Sequence, residues 1–300
     1  MTAGALPRRV LILGLGHAGR ALAHRLRPLG VVVEGSVREP AAAPEDGITR
    51  HRLHPDHLPD ALLAAVARAD AVLGSVPPDA DGDPALRLLA PALRASPTLR
   101  WAGYLSSTAV YGDRDGGWID EGSRADATDA TATRRLRAEA QWRALAAGCG
   151  IASAVFRLPG LYGRGRNALV RLAQGKARHV VRPGLVFNRL HVDDLADAVV
   201  AAMRRPVHDA LYLPADDEPA PPQEVLAHAA RLGGFALPPA LAWDDPALEP
   251  ALRRFHASNK RIDSRRTREA LQWQPRFHSY REGLRDAWEA GDGRPAADAR

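Results

Sequence analysis

Near its N-terminus the chain carries the sequence LILGLGHAGR at residues 11–20. A short apolar run comes first, as in a strand buried on both faces, and glycines follow with the spacing Gly-x-Gly-x-x-Gly. Gly14 permits a tight exit from the strand, Gly16 lets the backbone approach a pyrophosphate, and Gly19 lets the next helix pack closely on the sheet. Because the N-terminus of that helix faces the anion, the pattern predicts a dinucleotide site that also includes His17 and Ala18.

The rest of the chain extends this motif into an α/β pattern. Predicted strands lie at 9–13, 31–34, 71–75, 101–105 and 151–156, and predicted helices at 20–27, 58–68, 84–94 and 131–147. Strands that alternate with helices at this spacing favour a doubly wound parallel sheet of the Rossmann type.

A change in rhythm after residue 157 suggests a second structural unit. Prolines become frequent there, and the alternation of strands and helices loosens. We therefore expect a nucleotide-binding domain at 1–157 and a smaller substrate lobe at 158–290, partly interleaved with the sheet domain. Residues 291–300 are polar and small, and we expect them to fray.

Composition points to a globular protein of a reducing compartment. Of the 300 residues, 46% are hydrophobic and 25% are charged, which is an ordinary balance. The single cysteine, Cys149, cannot form an internal disulfide. We recognise no signal peptide, and no apolar run approaches the roughly 20 residues of a membrane span, so we expect a cytoplasmic protein without a membrane partner.

The net charge of +6 comes almost entirely from arginines that are spread along the chain. A nucleic-acid partner would need a basic patch on a recognisable motif, so none is expected. The charge suits a small ligand that carries phosphate.

The second predicted strand bears on the choice of cofactor. An NAD-selective site usually has a carboxylate about 20 residues past the glycine turn, bonded to the ribose hydroxyls. Here Glu34 precedes the end of the strand, and Ser36 and Arg38 occupy the loop where the ribose would lie. A hydroxyl and a guanidinium suit a 2′-phosphate, so the sequence favours NADP over NAD. The alternative is that Arg38 is simply a solvated loop charge.

Four further segments carry a family resemblance. They are LSSTAVYG at 105–112, RLPGLYGRGR at 157–166, NRLHVDDLA at 188–196, and SNKR at 258–261 running on to YREGL at 280–284. With the glycine turn, they resemble the extended short-chain dehydrogenase/reductases, the NAD(P)-dependent epimerases and dehydratases, in the order of that family. The resemblance implies an NAD(P)-binding oxidoreductase that acts on a small polar or nucleotide-linked substrate.

The sequence departs from this family where chemistry is expected. The family uses a tyrosine as acid/base and, four residues later, a lysine that holds the nicotinamide ribose. Counting back from Glu139, the matching positions are Thr131 and Arg135. Arg135 keeps a positive charge for the ribose, but an aliphatic hydroxyl has a far higher pKa than the value of about 10 for tyrosine. The remaining candidates are Ser107, at the position of the catalytic serine, and Tyr111 as a surrogate acid.

Each of these two candidates also has a purely structural interpretation. Ser107 could cap the end of a strand, and the family uses the tyrosine of its Val-Tyr-Gly segment mainly for structure. The resemblance places further residues near the ligands. The cofactor side gains Ser75 and Pro159, and the substrate side gains Tyr162, Arg164, Asn188 and Arg189. Arg164, like Arg166 beside it, could also be a surface charge on a loop.

A metal site is not expected. His51, His54 and His57 fall three residues apart, but prolines interrupt any helix there and a strand would alternate their faces.

Two functions remain open from sequence. The first is an oxidoreductase whose proton donor the sequence does not identify. The second is a non-catalytic NAD(P) sensor or regulatory protein that kept the cofactor pocket and lost the family's tyrosine and lysine pair. Related folds often pair through helices of the sheet domain, so a homodimer through the helix at 131–147 is also open.

Overall fold

A parallel sheet of seven strands forms the centre of the computed structural model, which describes residues 4–39, 46–55, 57–246 and 248–294. The strands are β1 (Arg9–Leu13), β2 (Val32–Val37), β3 (Thr49–Arg52), β4 (Ala71–Gly74), β5 (Trp101–Ser107), β6 (Trp118–Ile119), β7 (Ala152–Leu158), β8 (Gly160–Tyr162), β9 (His179–Val181), β10 (Arg189–His191), β11 (Ala210–Tyr212), β12 (Ala240–Ala242) and β13 (Arg261–Ile262). The α-helices are α1 (His17–Leu26), α2 (Asp60–Arg68), α3 (Pro84–Ala95), α4 (Ala130–Cys149), α5 (Ala168–Ala173), α6 (Val192–Arg204), α7 (Pro222–Gly233), α8 (Pro250–Phe255), α9 (Arg265–Leu271) and α10 (Tyr280–Glu289). Short 3-10 helices follow at Arg27–Leu29 and Thr108–Tyr111.

The strand order of the central sheet is β11-β7-β5-β4-β1-β2-β3. The chain moves outward from β1 to β2 and β3, then crosses back to β4 on the other side of β1. Ligands of doubly wound sheets bind at such a reversal, outside the carboxyl ends of the strands. The predicted Rossmann-type sheet is confirmed, and its reversal places the glycine turn after β1 at the centre of that edge.

Strand β1 is buried on both faces, as its apolar run predicts. Val10 and Ile12 pack with α1 and α6 on one face of the sheet. Leu11 and Leu13 pack with α2, α3 and α4 on the other face. Successive side chains of a strand point to opposite faces, so helices are needed on both sides of the sheet.

The predicted second strand, 31–34, is too short, because β2 continues to Val37 through Gly35 and Ser36, which are not large and apolar. Glu34 and Ser36 are buried with hydrogen-bond partners. A Cβ atom on Gly35 would lie 2.3 Å from Cγ of Leu15, so the glycine makes room for the residue inside the turn. Strand β3 was not predicted, because its sequence TRHR has no apolar alternation.

Strands and helices from the two halves of the chain pair and pack with each other. Strand β11 and helix α6 come from beyond residue 157 and pack on the central sheet, whereas β6 pairs with β13. Helices α5, α7 and α10 enclose a separate apolar cluster. Of the predicted frayed tail, residues 295–300 lie outside the described residues. Among the helices that the structure describes, none has the length and apolar character to cross a membrane.

Candidate active site

The glycine turn joins the end of β1 to the start of α1. A Cβ atom on Gly19 would lie 2.5 Å from the carbonyl oxygen of Gly14, so only glycine allows this close approach of helix and turn. A Cβ atom on Gly16 would meet no heavy atom within 4 Å. The space in front of Gly16 and the N-terminus of α1 is therefore open, and it fits an anionic group such as a pyrophosphate.

Ser36 supports this turn from β2 instead of lying in the loop beyond it. Its hydroxyl accepts a hydrogen bond from the backbone N–H of Gly14 at 3.0 Å, and the N–H of Leu15 donates to the Ser36 carbonyl at 2.8 Å. Only 1% of Ser36 is exposed. The predicted loop position is wrong, because a buried hydroxyl in the strand satisfies a backbone donor of the turn.

The carboxylate of Glu34 is fully engaged inside the protein. It accepts hydrogen bonds from Nε and Nη2 of Arg68 at 2.9 and 2.7 Å, and it lies 2.7 Å from Nε2 of His51. Strand β2 ends at Val37, and Arg38 follows as an exposed residue. The first residue after β2 therefore carries an exposed guanidinium, and the carboxylate of Glu39 that follows it accepts a hydrogen bond from Arg52 at 2.8 Å.

Positive charge collects around the glycine turn. Burial lowers the pKa of His17, and the guanidinium groups of Arg166 and Arg20 lower it further, while Asp193 opposes them. These effects disfavour the charged form of His17, so the positive charge near the turn is mainly that of the arginines. Arg166 is exposed and comes from the far half of the chain, and folding brings its charge close enough to act on His17 at the start of α1.

The carboxyl end of β5 faces the start of α4. Ser107 ends β5 with a partly exposed side chain, and its hydroxyl accepts from the N–H of Ala109 at 3.2 Å. Because a serine hydroxyl can also donate, it remains able to bond a substrate oxygen. Arg135 reaches from α4 to β5, where Nη1 donates to the Leu105 carbonyl at 2.9 Å. Thr131 is exposed on the first turn of α4.

Tyr111 lies in the interior. It is 0% exposed, its hydroxyl donates to the carbonyl oxygen of Asp120 at 3.2 Å, and the guanidinium of Arg157 lies over its ring at 4.9 Å. Burial raises the pKa of Tyr111. These contacts argue against a surrogate acid at this position and favour its structural interpretation.

Comparison with known proteins places the chain. No family model matches it. A 3-diazoavenalumate denitrifying reductase from a Streptomyces species is 31% identical over an alignment of 316 positions, which covers 92% of this chain and 99% of that protein. A solved structure from Methylobacillus flagellatus, described as an NAD-dependent epimerase/dehydratase, is 27% identical with a TM-score of 0.71 over 95% of this chain and 99% of that one. The chain belongs to the NAD-dependent epimerase/dehydratase family.

Two further structures share the fold of this epimerase/dehydratase family member. A conserved protein of unknown function from Silicibacter pomeroyi is 37% identical, with a TM-score of 0.84 over 95% of this chain and 99% of that one. MoeE5 in complex with UDP-glucose and NAD is 21% identical, with a TM-score of 0.74 over 94% of this chain and 97% of that one. Structural relatives of this family member thus bind NAD and a nucleotide sugar.

Two of the residues predicted for the substrate side of this family member are bonded within the protein. Nε and Nη2 of Arg164 donate to the Asp286 carboxylate at 2.9 and 2.8 Å. The side-chain amide of Asn188 donates to the carbonyl of Lys260 at 2.8 Å and accepts from the N–H of Ile262 at 2.8 Å. Asn188 is buried, so it holds the chain around Lys260 in place.

The other two residues predicted for the substrate side, Arg189 and Tyr162, donate hydrogen bonds to backbone carbonyls. Nη1 of Arg189 donates to the carbonyl oxygens of Phe187 and Ala220, each at 3.0 Å, and burial lowers the pKa of Arg189. The hydroxyl of Tyr162 donates to the Ser279 carbonyl at 3.2 Å, and burial raises the pKa of Tyr162. These bonds connect segments of the C-terminal half.

Other candidates fall into two groups. Ser75 and Pro159 follow β4 and β7 and lie half-buried at the carboxyl edge of the sheet, as a cofactor site requires. His51 is bonded to Glu34, and His54 and His57 pair through a β-bridge. Within the residues that the structure describes, no three histidine, cysteine or carboxylate side chains are grouped to hold a metal.

Proposed function

We propose that this family member binds NADP(H) and reduces a small polar substrate at the carboxyl edge of β5. The observation that carries the choice of cofactor is the engagement of Glu34 by Arg68 and His51, which leaves the exposed Arg38 at the end of β2. The Streptomyces relative is named a reductase, which supports reduction over epimerisation.

Each residue of the proposed site has a separate role in binding the cofactor or the substrate. Backbone N–H groups at the start of α1 bind the pyrophosphate, with Arg166 neutralising its charge. Arg38 binds the 2′-phosphate, and Arg135 orients the nicotinamide ribose. The bound cofactor supplies a hydride. Ser107 donates a hydrogen bond to the substrate atom on which negative charge develops, and so stabilises that charge.

The role of Arg38 is tested by Arg38→Ala. A hydrogen-bonded charge contributes about 1.5–3 kcal/mol, so we expect NADP affinity to fall about 10- to 100-fold. NAD affinity should stay unchanged, because NAD lacks the 2′-phosphate. Isothermal titration calorimetry with both nucleotides measures the difference.

Arg94→Ala provides the matched control. Arg94 is exposed in the last turn of α3. A helix between parallel strands ends at the edge opposite the strands' carboxyl ends, so Arg94 is remote from the site. Equal losses for both nucleotides in Arg38→Ala, or tighter binding of NAD than of NADP by the unaltered protein, would reject the NADP assignment.

Arg166→Ala should weaken NADP and NAD alike, by about tenfold, because both carry the pyrophosphate. The neighbouring Arg164→Ala is its control, since the Arg164 guanidinium is already paired with Asp286. We expect its nucleotide affinities to stay within about twofold of the unaltered protein. Calorimetry under identical salt conditions compares the two variants, and an equal loss in both would remove Arg166 from the site.

The alternative function is a sensor that binds NADP(H) without turnover. Helix α4 carries no tyrosine at Thr131 or at any other position, which favours it. Incubation of the NADPH-loaded protein with carbonyl and diazo compounds separates the two functions. Substrate-dependent loss of NADPH absorbance supports the reductase, and tight binding without any such loss supports the sensor.

A further inference from the structure

Lys260 is an unusual residue in this chain. Of the 41 lysines and arginines, only Lys176 and Lys260 are lysines. An arginine cannot give up its proton in a protein, whereas a lysine can, and burial lowers a lysine pKa readily. Lys176 is exposed, but only 7% of Lys260 is. The chain thus buries one of its two lysines.

The segment around Lys260 is clamped to the loop that follows β5. The N–H of Asn259 donates to the Asp113 carboxylate at 2.7 Å, and the Asn259 carbonyl accepts from the N–H of Arg114 at 2.9 Å. The hydroxyl of Ser258 donates to the carbonyl of Gly112 at 2.9 Å. These bonds join residues about 146 apart in sequence, so a C-terminal segment lies directly against the loop that begins at the catalytic-serine position.

The ammonium group itself lies between that loop and the start of α4. Nζ donates to the hydroxyl of Ser258. The carboxylates of Asp113 and Asp129 both act on it electrostatically. Asp129 caps α4 and accepts from the N–H of Thr131. Lys260 is therefore close enough to the start of α4 for the charge of Asp129 to act on it, and this is the helix turn on which the family's phenol is expected.

The surroundings of the Lys260 ammonium group lower its pKa towards neutral pH. Burial, and to a smaller extent the Arg114 guanidinium, lower the pKa of Lys260, while Asp113 and Asp129 oppose the shift, and together these effects bring it to about 8. The charge of Arg182 in turn helps to lower the pKa of Asp113. A group whose pKa lies close to the working pH is an effective general acid.

We propose that Lys260 is the proton donor that takes the place of the family's tyrosine, a role that rests on the proposed reductase function. The substrate double bond accepts a hydride from the nicotinamide at one atom, and its electron pair moves to the other atom. That atom forms a bond to a proton of the Nζ ammonium as the N–H bond breaks. Two electrons pass from cofactor to substrate, and the neutral amine regains its proton from water.

The placement is tested by competitive labelling with acetic anhydride between about pH 6 and 11, read for each lysine by mass spectrometry. The inflection for Lys260 is expected near pH 8. NADP⁺ carries a positive nicotinamide ring and NADPH a neutral one, so saturation with NADP⁺ should lower the pKa of Lys260 by about one unit relative to NADPH. Exposed Lys176 should show no such difference.

Two variants test the proton transfer with 9,10-phenanthrenequinone as the carbonyl probe. Lys260→Met and Lys260→Arg should bind NADPH as tightly as the unaltered protein but oxidise it about 10²–10⁴ times more slowly. The unaltered protein should lose rate as the pH rises through 8, because the protonated amine is required. Lys176→Arg is the control, with full rate expected.

The outcomes separate the two proposals. If neither nucleotide binds, the proposed function fails. If both bind and the labelling of Lys260 does not distinguish NADP⁺ from NADPH, the reductase site stands and Lys260 is excluded from it. Retention of more than about a third of the rate by Lys260→Met would overturn the proton-donor role as well.

Discussion

Gly16→Asp should reduce the affinity for NADP(H) by at least about 100-fold while leaving the folded protein as stable as before. Gly16 has φ −77° in an extended conformation that other residues adopt, and a Cβ atom there would contact no protein atom. Aspartate is a better helix N-cap than glycine, and its charge is favourable at a helix N-terminus. The carboxylate would occupy the space that the pyrophosphate needs and repel it. Calorimetry and urea denaturation measure the two effects.

Gly19→Ala is the contrasting control from the same turn. Its Cβ atom would lie 2.5 Å from the Gly14 carbonyl oxygen and 3.1 Å from Cγ2 of Ile12, so helix and turn must shift. We therefore expect this variant to lose both stability and nucleotide affinity. Unimpaired NADP(H) binding by Gly16→Asp would mean that the cofactor does not approach the turn at all.

Arg157→Met should lower the free energy of unfolding by about 3–5 kcal/mol, because it leaves the buried carboxylate of Glu139 without its cation. Nε and Nη2 of Arg157 donate to that carboxylate at 3.1 and 2.8 Å, and the Ser106 hydroxyl donates to it at 2.5 Å. The pair joins β7 to α4. Urea denaturation monitored by tryptophan fluorescence gives the free energy.

The same substitution at an exposed ion pair is the control. Arg87 donates to the Asp79 carboxylate at 2.8 and 2.7 Å with both side chains well exposed, and such pairs contribute about 0–1 kcal/mol. The double variant Glu139→Leu with Arg157→Met should recover most of the lost stability, since apolar residues often replace a buried pair without cost. A loss in Arg157→Met no larger than in Arg87→Met would contradict the assigned burial of the charge.

Much of the site near the N-terminus could be predicted because its parts are adjacent in sequence. The turn has three glycines within six residues. The structure shows a local reason for two of them, the positive φ of Gly14 and the close approach at Gly19, and it leaves open space in front of Gly16. Strand β3 escaped prediction because it pairs along one edge only and needs no apolar pattern.

The roles of polar residues were harder to predict, since a polar side chain alone does not show whether it faces a ligand or another part of the protein. Ser36 and Arg164 both suit a phosphate by type, yet one bonds Gly14 and the other pairs with Asp286. Tyr111 is a phenol near Ser107 in sequence, but its hydroxyl donates to the Asp120 carbonyl in the interior.

The sequence by itself determined the parallel α/β sheet and the glycine turn, because apolar periodicity and glycine spacing act over a few residues. Only the tertiary structure decided that the Glu34 carboxylate accepts hydrogen bonds from Arg68. It also decided that the charge of Arg166 acts on His17 in the turn, and that the charge of Asp129 at the start of α4 acts on Lys260. These partners come from distant segments, and folding alone brings their charges close enough to interact. The chemistry that this chain can perform therefore depends on contacts that no local pattern encodes.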